Sequence, residues 1–249
     1  MYKLSLKTPG EIKIMAQGGK KLHQVKQKLV QSVKPGVTGV ELDHLATELI
    51  TAAGGQPSFQ MVPGYHWATC INTNDLVVHG IPNTTKLKTG DVVGIDVGMY
   101  YHGFHTDTSI TVLVGSSTAS TQKFLDTGKK ALNKAISLAK SGHKVASVSA
   151  AMQTTVEAAG YSVVTALTGH GVGRQLHEEP AIPCFVVGKH SPKLVVGMVL
   201  AIEVMYNLGG SEVVYLNDDG WTIATADGKI SGLFEETVAV TANGPVVLT

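Results

Sequence analysis

Two stretches of the sequence occur twice, at nearly the same spacing. Residues 34–54 align with residues 140–160, sharing a lysine, a glycine and a closing Ala-Ala-Gly. Residues 90–97 (GDVVGIDV) align with residues 197–204 (GMVLAIEV), and each segment carries one acid near the end of an apolar run. An internal repeat limits the folds open to the chain, because each unit must build a similar structure. Duplicated halves would bring equivalent strands, and their acids, together at a central axis.

A third matched pair supports this interpretation. HGIP at residues 79–82 corresponds to HEEP at residues 177–180. We therefore predict one domain over residues 1–249, built from pseudo-symmetric halves of about 1–118 and 119–249.

Each predicted half begins with two helices and continues with strands. Thr8 and Thr38 each precede a helical pattern and have a glutamate three residues later, which is the capping-box pattern. Residues 56–115 are rich in Val, Thr, Tyr and Gly, which predicts strands and turns. Helical spacing returns over about 120–140 and 147–159. The rest of the chain is predicted to be mostly strand and loop.

Composition excludes several classes of protein. The net charge is +1 with only 16% charged residues and no basic run, so we expect no nucleic-acid partner. No apolar stretch approaches the roughly 20 residues of a membrane span, and no basic amphipathic helix argues for a membrane surface. The two cysteines, Cys70 and Cys184, are too few for a disulfide scaffold. Without a secretion signal, we expect the protein in the cytoplasm.

Two aspartates flank a predicted hairpin. The His-Gly pair at residues 102–103 is typical of a tight turn, which would set Asp107 opposite Gly98 and Asp96 opposite Ser109. Side chains alternate along a strand, so both acids would project from one face. As diagonal neighbours roughly 7–8 Å apart, they could share a cation. A bulge in either strand would remove this relationship.

Three further acids lie in apolar strands. Glu203 falls within residues 198–206, which are otherwise almost continuously apolar. Glu235 and Glu236 are adjacent, so alternation puts one on each face, and we expect one of the two to be a solvated edge residue. No lysine or arginine near Asp96, Glu203 or Glu235 in sequence could neutralise them. Buried like charges repel strongly unless a cation lies among them.

His170 lies in the glycine-rich segment GHGVG (residues 169–173). A lone histidine of this kind is more often structural than a ligand. Four carboxylates and one imidazole, however, form a hard donor set that suits two divalent ions. Such ions lie about 3.5–4 Å apart, hold a bridging hydroxide and polarise a carbonyl. His79 and His177 would then be outer polar groups that orient a substrate or stabilise a tetrahedral intermediate.

At these residues the chain resembles the type I methionine aminopeptidases of metallopeptidase family M24. The matching segments cover nearly the whole chain in collinear order: HGIP (79–82), DVG (96–98), GFHTDTS (103–109), GHGVGR (169–174), HEEP (177–180), AIE (201–203), DGWT (219–222) and FEET (234–237). The resemblance implies an α+β pita-bread fold. In this fold an antiparallel curved sheet is flanked by two helix pairs.

The resemblance also implies a ligand set for two divalent ions. Asp107 and Glu235 would bridge the two ions, which selects Glu235 over its neighbour. His170 and Glu203 would complete the ligands of one ion, and Asp96 would hold the other. Cobalt, manganese, iron and zinc all suit this mixed oxygen and nitrogen set. Backbone near residues 74 and 231 would hold one monovalent cation.

Catalytic and pocket roles are implied in the same way. Glu203 would act as general base, His177 would hydrogen-bond the scissile carbonyl oxygen, and His79 would contact the scissile amide nitrogen. The pocket for the first side chain of the substrate would be apolar and tolerant of sulfur, as methionine requires. Its lining residues would be Tyr65, Cys70, Leu176 and Trp221, joined by Phe59.

The implied activity is removal of the initiator methionine from nascent polypeptide N-termini by a monomeric enzyme, with the ribosome as a further partner. The alternatives are an Xaa-Pro aminopeptidase or prolidase, which share the ligand set, and a non-catalytic binding protein on the same fold. The sequence departs from the family in two places: Val204 replaces a usual proline, and residues 57–67 are atypical. Both departures concern the pocket and the rate more than the metal ligands.

Overall fold

The structure, a computed structural model, describes residues 4–116, 118–188, 191–216 and 218–249. The helices are α1 Pro9–Ser32, α2 Gly39–Ala52, α3 Ala119–Leu138 and α4 Val145–Glu157. The strands are β1 Gln56–Pro57, β2 Thr69–Thr73, β3 Leu76–Val78, β4 Val92–Tyr101, β5 Phe104–Leu113, β6 Ser162–Val163, β7 Thr168–Gly171, β8 Glu178–Pro183, β9 Val199–Asn207, β10 Val213–Tyr215, β11 Ile223–Thr225, β12 Ser231–Thr241 and β13 Gly244–Val247. A single 3₁₀ turn covers Phe59–Met61.

Ten of these strands form one antiparallel sheet. Seven follow the order β1-β4-β5-β12-β9-β7-β8, while β2, β6 and β13 pair with β4, β9 and β12. The strands that meet at the centre are β5 and β12, and the repeated strands β4 and β9 flank them on either side. The repeat therefore produces a symmetric arrangement in which β4 and β9 are separated by the two central strands. The smaller sheet has the order β10-β11-β3.

The predicted hairpin joins β4 and β5 without a bulge. His102 and Gly103 occupy the turn with φ angles of 47° and 91°, in the left-handed region that a tight hairpin turn requires. The ladder pairs Asp96 with Ser109 and sets Asp107 opposite residue 98. The predicted register is confirmed.

The four helices cover one face of the large sheet. The pair α1 and α2 packs against the β4 side, and the pair α3 and α4 packs against the β9 side. Val93, Ile95 and Val97 of β4 contribute to the core beneath α1, while Ile202 and Val204 of β9 contribute to the core beneath α3. Residues between these apolar positions point to the opposite face, because side chains alternate along a strand. That face carries the acids.

Both predicted capping boxes are present. Thr8 Oγ1 accepts a hydrogen bond from the Glu11 amide at 3.3 Å, and the Glu11 carboxylate accepts one from the Thr8 amide at 2.8 Å. The glycine pair inside α1 does not interrupt the helix. A Cβ on Gly19 would collide with the backbone carbonyl of Leu248, so this glycine allows the C-terminal segment to pack closely against α1.

The two later helices begin slightly earlier than the sequence indicated, at residues 119 and 145. No helix among the described residues is long and apolar enough to cross a membrane. The boundary between two halves near residue 118 stays a prediction.

Candidate metal centre and substrate pocket

One register row crosses four strands and carries three acids. Asp96 on β4 is opposite Ser109 on β5, Ser109 is opposite Glu235 on β12, and Glu235 is opposite Glu203 on β9. Residues in one row share a face of the sheet, so the three carboxyl groups point away from the helices. The two acids on the repeated strands therefore lie at the ends of the row, with Glu235 between them.

Asp107 and His170 lie in the next row on the same face. The Asp107 amide donates to Thr237 Oγ1 at 2.9 Å, and the Thr237 hydroxyl donates to the Asp107 carbonyl at 2.7 Å. Thr237 is opposite Ala201, which is opposite His170 on β7. Ligand atoms of Asp107, His170 and Glu235 all lie within 4.8 Å of one another. Three separate strands thus supply one compact donor group.

Burial raises the pKa values of all four acids, and the neighbouring carboxylates raise three of them further. Burial, followed by the charge of Asp107, raises the pKa of Glu203 to about 8, and burial raises the pKa of Asp107 to about 7. Burial and then the neighbouring carboxylates hold the pKa values of Asp96 and Glu235 well above their usual range. None of the ion pairs between described residues involves these acids. At neutral pH they must therefore bind protons or a cation.

Oxygen atoms without hydrogen-bond partners indicate that the site suits a cation. Oδ1 of Asp96, Oγ of Ser109 and Oε1 of Glu235 are buried and have no hydrogen-bond partner among the described residues. A buried acceptor without a donor is costly, and a divalent cation would satisfy the carboxylate oxygens. Carboxylate oxygens beside an imidazole nitrogen are a donor set that divalent transition metals bind. The residues present fit a metal centre.

His170 is oriented for ligation. Its Nδ1 lies 2.8 Å from the carbonyl oxygen of Gly171. A carbonyl only accepts hydrogen bonds, so Nδ1 carries the proton and Nε2 is left with a free lone pair. Burial and the charge of His177 lower the pKa of His170 to about 4. The ring is therefore neutral at physiological pH, as a ligand must be.

His79 and His177 line the same cavity as the acids. His79 follows β3 with a φ of 56°, and its ring meets the Trp221 ring edge-on at 6.4 Å. His177 lies in the connection between β7 and β8, with its ring 4.5 Å from that of His170. Burial lowers the pKa of both groups, and the charge of His177 lowers that of His79 further. Each neutral imidazole can donate one hydrogen bond into the cavity.

A cavity of about 330 Å³ lies over the acids. One wall is an apolar cluster of Phe59, Tyr65, Cys70 and Leu176, with Trp221 packed against it. The Tyr65 hydroxyl donates to the backbone carbonyl of residue 69 at 2.9 Å and lies 3.2 Å from Cys70 Sγ. Every residue predicted as a metal ligand, a catalytic group or a pocket residue lines this cavity, whereas residues 74 and 231 do not. The atypical segment 57–67 supplies two of the four buried residues of this cluster, Phe59 and Tyr65, and Val62 and Trp67 pack against them.

Further lining residues were not identified from the sequence: Val62, Val78, Ala166, Leu167, Thr168 and Met205. Alternation was an available signal for two of them. Met205 lies two residues after Glu203, and Thr168 lies two residues before His170, so each shares a face with a named residue. Ala166 and Leu167 belong to an irregular segment, where no alternation of side chains predicts which way each residue points.

The expectation that one of the adjacent glutamates is a solvated edge residue is wrong. The Glu236 carboxylate accepts hydrogen bonds from Lys26 Nζ at 2.8 Å, Thr108 Oγ1 at 3.0 Å and Thr249 Oγ1 at 2.6 Å. Lys26 belongs to α1, on the helix-covered face, and its side chain is buried. The ion pair therefore joins α1 to β12 on the face of the sheet opposite to Glu235.

Comparison with known proteins agrees with this geometry. The family model described as metallopeptidase family M24 matches residues 13–242. A methionine aminopeptidase of Clostridium perfringens is 43% identical over 98% of this chain and 98% of its own length. The crystal structure of a methionine aminopeptidase from Thermotoga maritima superposes with a TM-score of 0.95 at 37% identity, covering 99% of each chain. The prolidase of Pyrococcus furiosus shares the fold, with a TM-score of 0.78 at 23% identity, and this chain covers 65% of it.

The fold and the acid-lined cavity are therefore those of a metal-dependent hydrolase, and the chain belongs to metallopeptidase family M24. Within that family it groups with the methionine aminopeptidases, which its full-length relatives are. The predicted pita-bread architecture is confirmed, with its antiparallel sheet and two helix pairs. Membership of this family implies that the chain binds divalent metal.

Proposed function

We propose that this chain removes an N-terminal methionine by hydrolysing the first peptide bond of its substrate. One observation carries the proposal: an apolar cavity ends on a cluster of buried carboxyl groups that has no cationic side chain beside it among the described residues. The apolar wall suits an unbranched thioether side chain. The acids lie where the first peptide bond of the substrate would be placed.

The acids and His170, which lie in two neighbouring register rows of the sheet, would hold two divalent ions. Asp107 and Glu235 would bridge them, His170 and Glu203 would complete the ligands of one, and Asp96 would hold the other. The unpartnered oxygens of Asp96 and Glu235 support this assignment. When bound, the ions would polarise the scissile carbonyl and lower the pKa of a water molecule. Cobalt, manganese, iron and zinc are the metals that we propose for this donor set.

Glu203 would handle the proton of the reaction. Without metal, burial and the charge of Asp107 raise the pKa of its carboxyl group to about 8. Bound divalent ions would lower that pKa again, so Glu203 would be a carboxylate in the loaded site. As a carboxylate it would take a proton from the attacking water, and it would then pass that proton to the nitrogen of the leaving amine.

His177 and His79 would bind the scissile peptide unit. A neutral His177 would donate a hydrogen bond to the carbonyl oxygen, where negative charge develops. His79 would contact the amide nitrogen from the side of Trp221, which its ring touches edge-on. Together these histidines would orient the peptide bond over the acids.

The alternatives are less supported. The prolidase likeness is below 25% identity, covers only part of that protein and shows the shared fold alone. A non-catalytic protein of this fold would be expected to lack ligands, whereas here every predicted ligand lines the cavity.

We further propose a monovalent cation site between the segments around Asn74 and Ser231. These segments touch, because the Ser231 amide donates to the Asn74 carbonyl at 2.8 Å. Nascent polypeptide N-termini are the proposed substrates in a cytoplasmic setting, with the ribosome as a further partner. We propose that the enzyme acts as a monomer, without binding nucleic acid or membranes.

Hydrolysis of Met-Ala-Ser and of Xaa-Pro peptides by the metal-loaded protein tests the proposed function. We expect release of free methionine from Met-Ala-Ser and little cleavage of Xaa-Pro bonds. Faster cleavage of the Xaa-Pro peptides would replace this proposal with the prolidase-like alternative.

A further inference from the structure

A short segment at residues 4–8 runs alongside the loop that carries His177. The Lys7 amide donates to the Gly197 carbonyl at 2.7 Å. The Lys7 side chain turns inward, where Nζ donates to the Ser5 carbonyl at 2.8 Å and forms an ion pair with Glu178. The side chains of Lys7 and Glu178 are only 1% and 7% exposed. Charged side chains are rarely buried to this extent unless they are paired.

Two glycines make room for Lys7. A Cβ on Gly173 would collide with the end of the Lys7 side chain and would lie 3.0 Å from Glu178 Oε1. A Cβ on Gly197 would lie 2.9 Å from the Lys7 carbonyl oxygen. Any larger residue at either position would displace Lys7. Its placement therefore depends on two separate parts of the chain.

The other oxygen of Glu178 closes the loop of residues 172–177. Glu178 Oε1 accepts a hydrogen bond from the Gln175 amide at 3.1 Å. The Gly173 amide donates to the Gln175 carbonyl at 3.0 Å, and the His105 amide donates to the Gly173 carbonyl at 2.7 Å. One carboxylate thus connects Lys7 to the turn that immediately precedes His177.

We propose that Lys7 is a positioning residue for His177: its ion pair with Glu178 holds the 172–177 loop so that His177 and Leu176 face the cavity. The inference rests on the proposed function for the role of His177 in hydrolysis. Leu176 is buried in the apolar wall of the cavity, and His177 lies beside His170. A shift of the loop would move both a pocket wall and a hydrogen-bond donor.

The physical reason is the cost of an unpaired buried charge. Removing Lys7 would leave the Glu178 carboxylate buried without its cation, which is strongly unfavourable. The loop can relieve this cost by opening until water reaches Glu178. Opening would break the bond to the Gln175 amide and release His177 from its position.

A second ion pair joins the same two parts of the chain, but it lies at the surface. Glu11 pairs with Arg174, whose side chain is 50% exposed. Pairs of this kind contribute little, because water screens them. The buried Lys7–Glu178 pair is therefore the contact expected to fix the loop.

The test compares Lys7→Met with wild type, both alone and combined with His177→Ala. Lys229→Met is the matched control, because it removes a lysine from an exposed pair with Asp227. We expect Lys7→Met to lower kcat for Met-Ala-Ser by about fivefold or more at unchanged metal content, and by less than about twofold once His177 is already alanine. An equal loss in both backgrounds would overturn the proposal, because Lys7 would then act independently of His177.

Hydrogen exchange of the loop provides a readout that needs no activity. Lys7→Met should raise the exchange rate of the Gln175 amide by about tenfold or more, while Lys229→Met leaves it unchanged. Unchanged exchange in Lys7→Met would overturn the proposal. If wild type fails to cleave Met-Ala-Ser, the proposed function is wrong, and the exchange result still decides whether Lys7 holds the loop.

A rescue experiment covers the case in which Lys7→Met does not fold. Glu178→Gln keeps an oxygen that can accept from the Gln175 amide but removes the charge. The double variant Lys7→Met with Glu178→Gln has neither buried charge, so its kcat and loop exchange should be closer to wild type than those of either single variant. A double variant as impaired as the sum of its parts would overturn the proposal.

Discussion

Glu203 and Glu235 are direct cross-strand neighbours, paired in register between β9 and β12 on the face of the sheet that points away from the helices. Like charges directly opposite each other weaken an antiparallel pair. The arrangement is stable when protons or a cation neutralise the two carboxyl groups. The stability of the protein should therefore depend on pH in a way that metal changes.

We predict that the metal-free protein becomes less stable as pH rises from 6.5 to 8. The pKa of Asp107 is raised to about 7 and that of Glu203 to about 8, so the folded state binds more protons here than the unfolded state. Stability then falls with pH, by about 1.4 kcal/mol per pH unit for each carboxyl group that is still protonated. His170 opposes this trend only near the lower end of the range, because its folded pKa is about 4 and an unfolded imidazole, with a pKa of about 6.5, loses most of its proton by about pH 7.5.

Thermal melting in chelator and in Mn²⁺ at several pH values measures this effect. Bound metal should raise Tm, and the gap between metal-loaded and metal-free protein should widen towards pH 8. A gap that narrows over this range would show that these acids do not hold protons in the folded, metal-free protein.

Asp107→Asn should abolish tight binding of both ions and lower kcat by at least about 10², because it removes a proposed bridging charge. Asp126→Asn is the control, since Asp126 lies at the surface of α3, where it accepts from the Gln122 side chain. Calorimetric titration with Mn²⁺ gives the stoichiometry. Two ions bound by Asp107→Asn with wild-type affinity would exclude a bridging role.

Local sequence signals indicated which way several of the acids point, whereas the choice of Glu235 over Glu236 came from the resemblance to the family. Asp96 and Asp107 are joined by one tight turn, and a turn of known length determines which residues face each other. Glu203 stood out because it is an acid in an otherwise apolar strand. In each case the alternation of side chains along a strand was enough to predict which face of the sheet the acid lies on.

Contacts between distant segments could not be predicted in this way. Glu236 pairs with Lys26, which lies far away in sequence on α1. The ion pair between Lys7 and Glu178 joins the start of the chain to its second half. Neither pair follows from a local period, because both depend on how the helices and the N-terminal segment pack on the finished sheet.

His177→Ala should lower kcat by about 10² while metal content stays at the wild-type value. The imidazole is expected to donate a hydrogen bond to the carbonyl oxygen as charge develops there, and it is not one of the proposed ligands. His79→Ala should behave similarly. Metal analysis alongside steady-state kinetics separates the two effects, and a near-normal kcat in both variants would show that the peptide bond lies elsewhere in the cavity.

Leu-Ala-Ser should be a slow substrate and not an inert one. The apolar wall of Tyr65, Cys70, Leu176 and Trp221 accepts an unbranched side chain best, but discrimination by apolar packing is worth only about 1–3 kcal/mol. The ratio of kcat/KM for Met-Ala-Ser over Leu-Ala-Ser should therefore lie between about 10 and 200. A ratio near one would argue against this wall as the specificity pocket.

Cleavage of Met-Ala-Ser and of formyl-Met-Ala-Ser, measured as metal-stripped protein is titrated with Mn²⁺, shows whether the protein is a metal-dependent aminopeptidase. We expect no cleavage before metal is added, release of methionine from Met-Ala-Ser as the acids bind Mn²⁺, and no turnover of the formylated peptide at any metal concentration. Cleavage that persists in the stripped protein, or equal turnover of both peptides, would contradict a metal-dependent aminopeptidase.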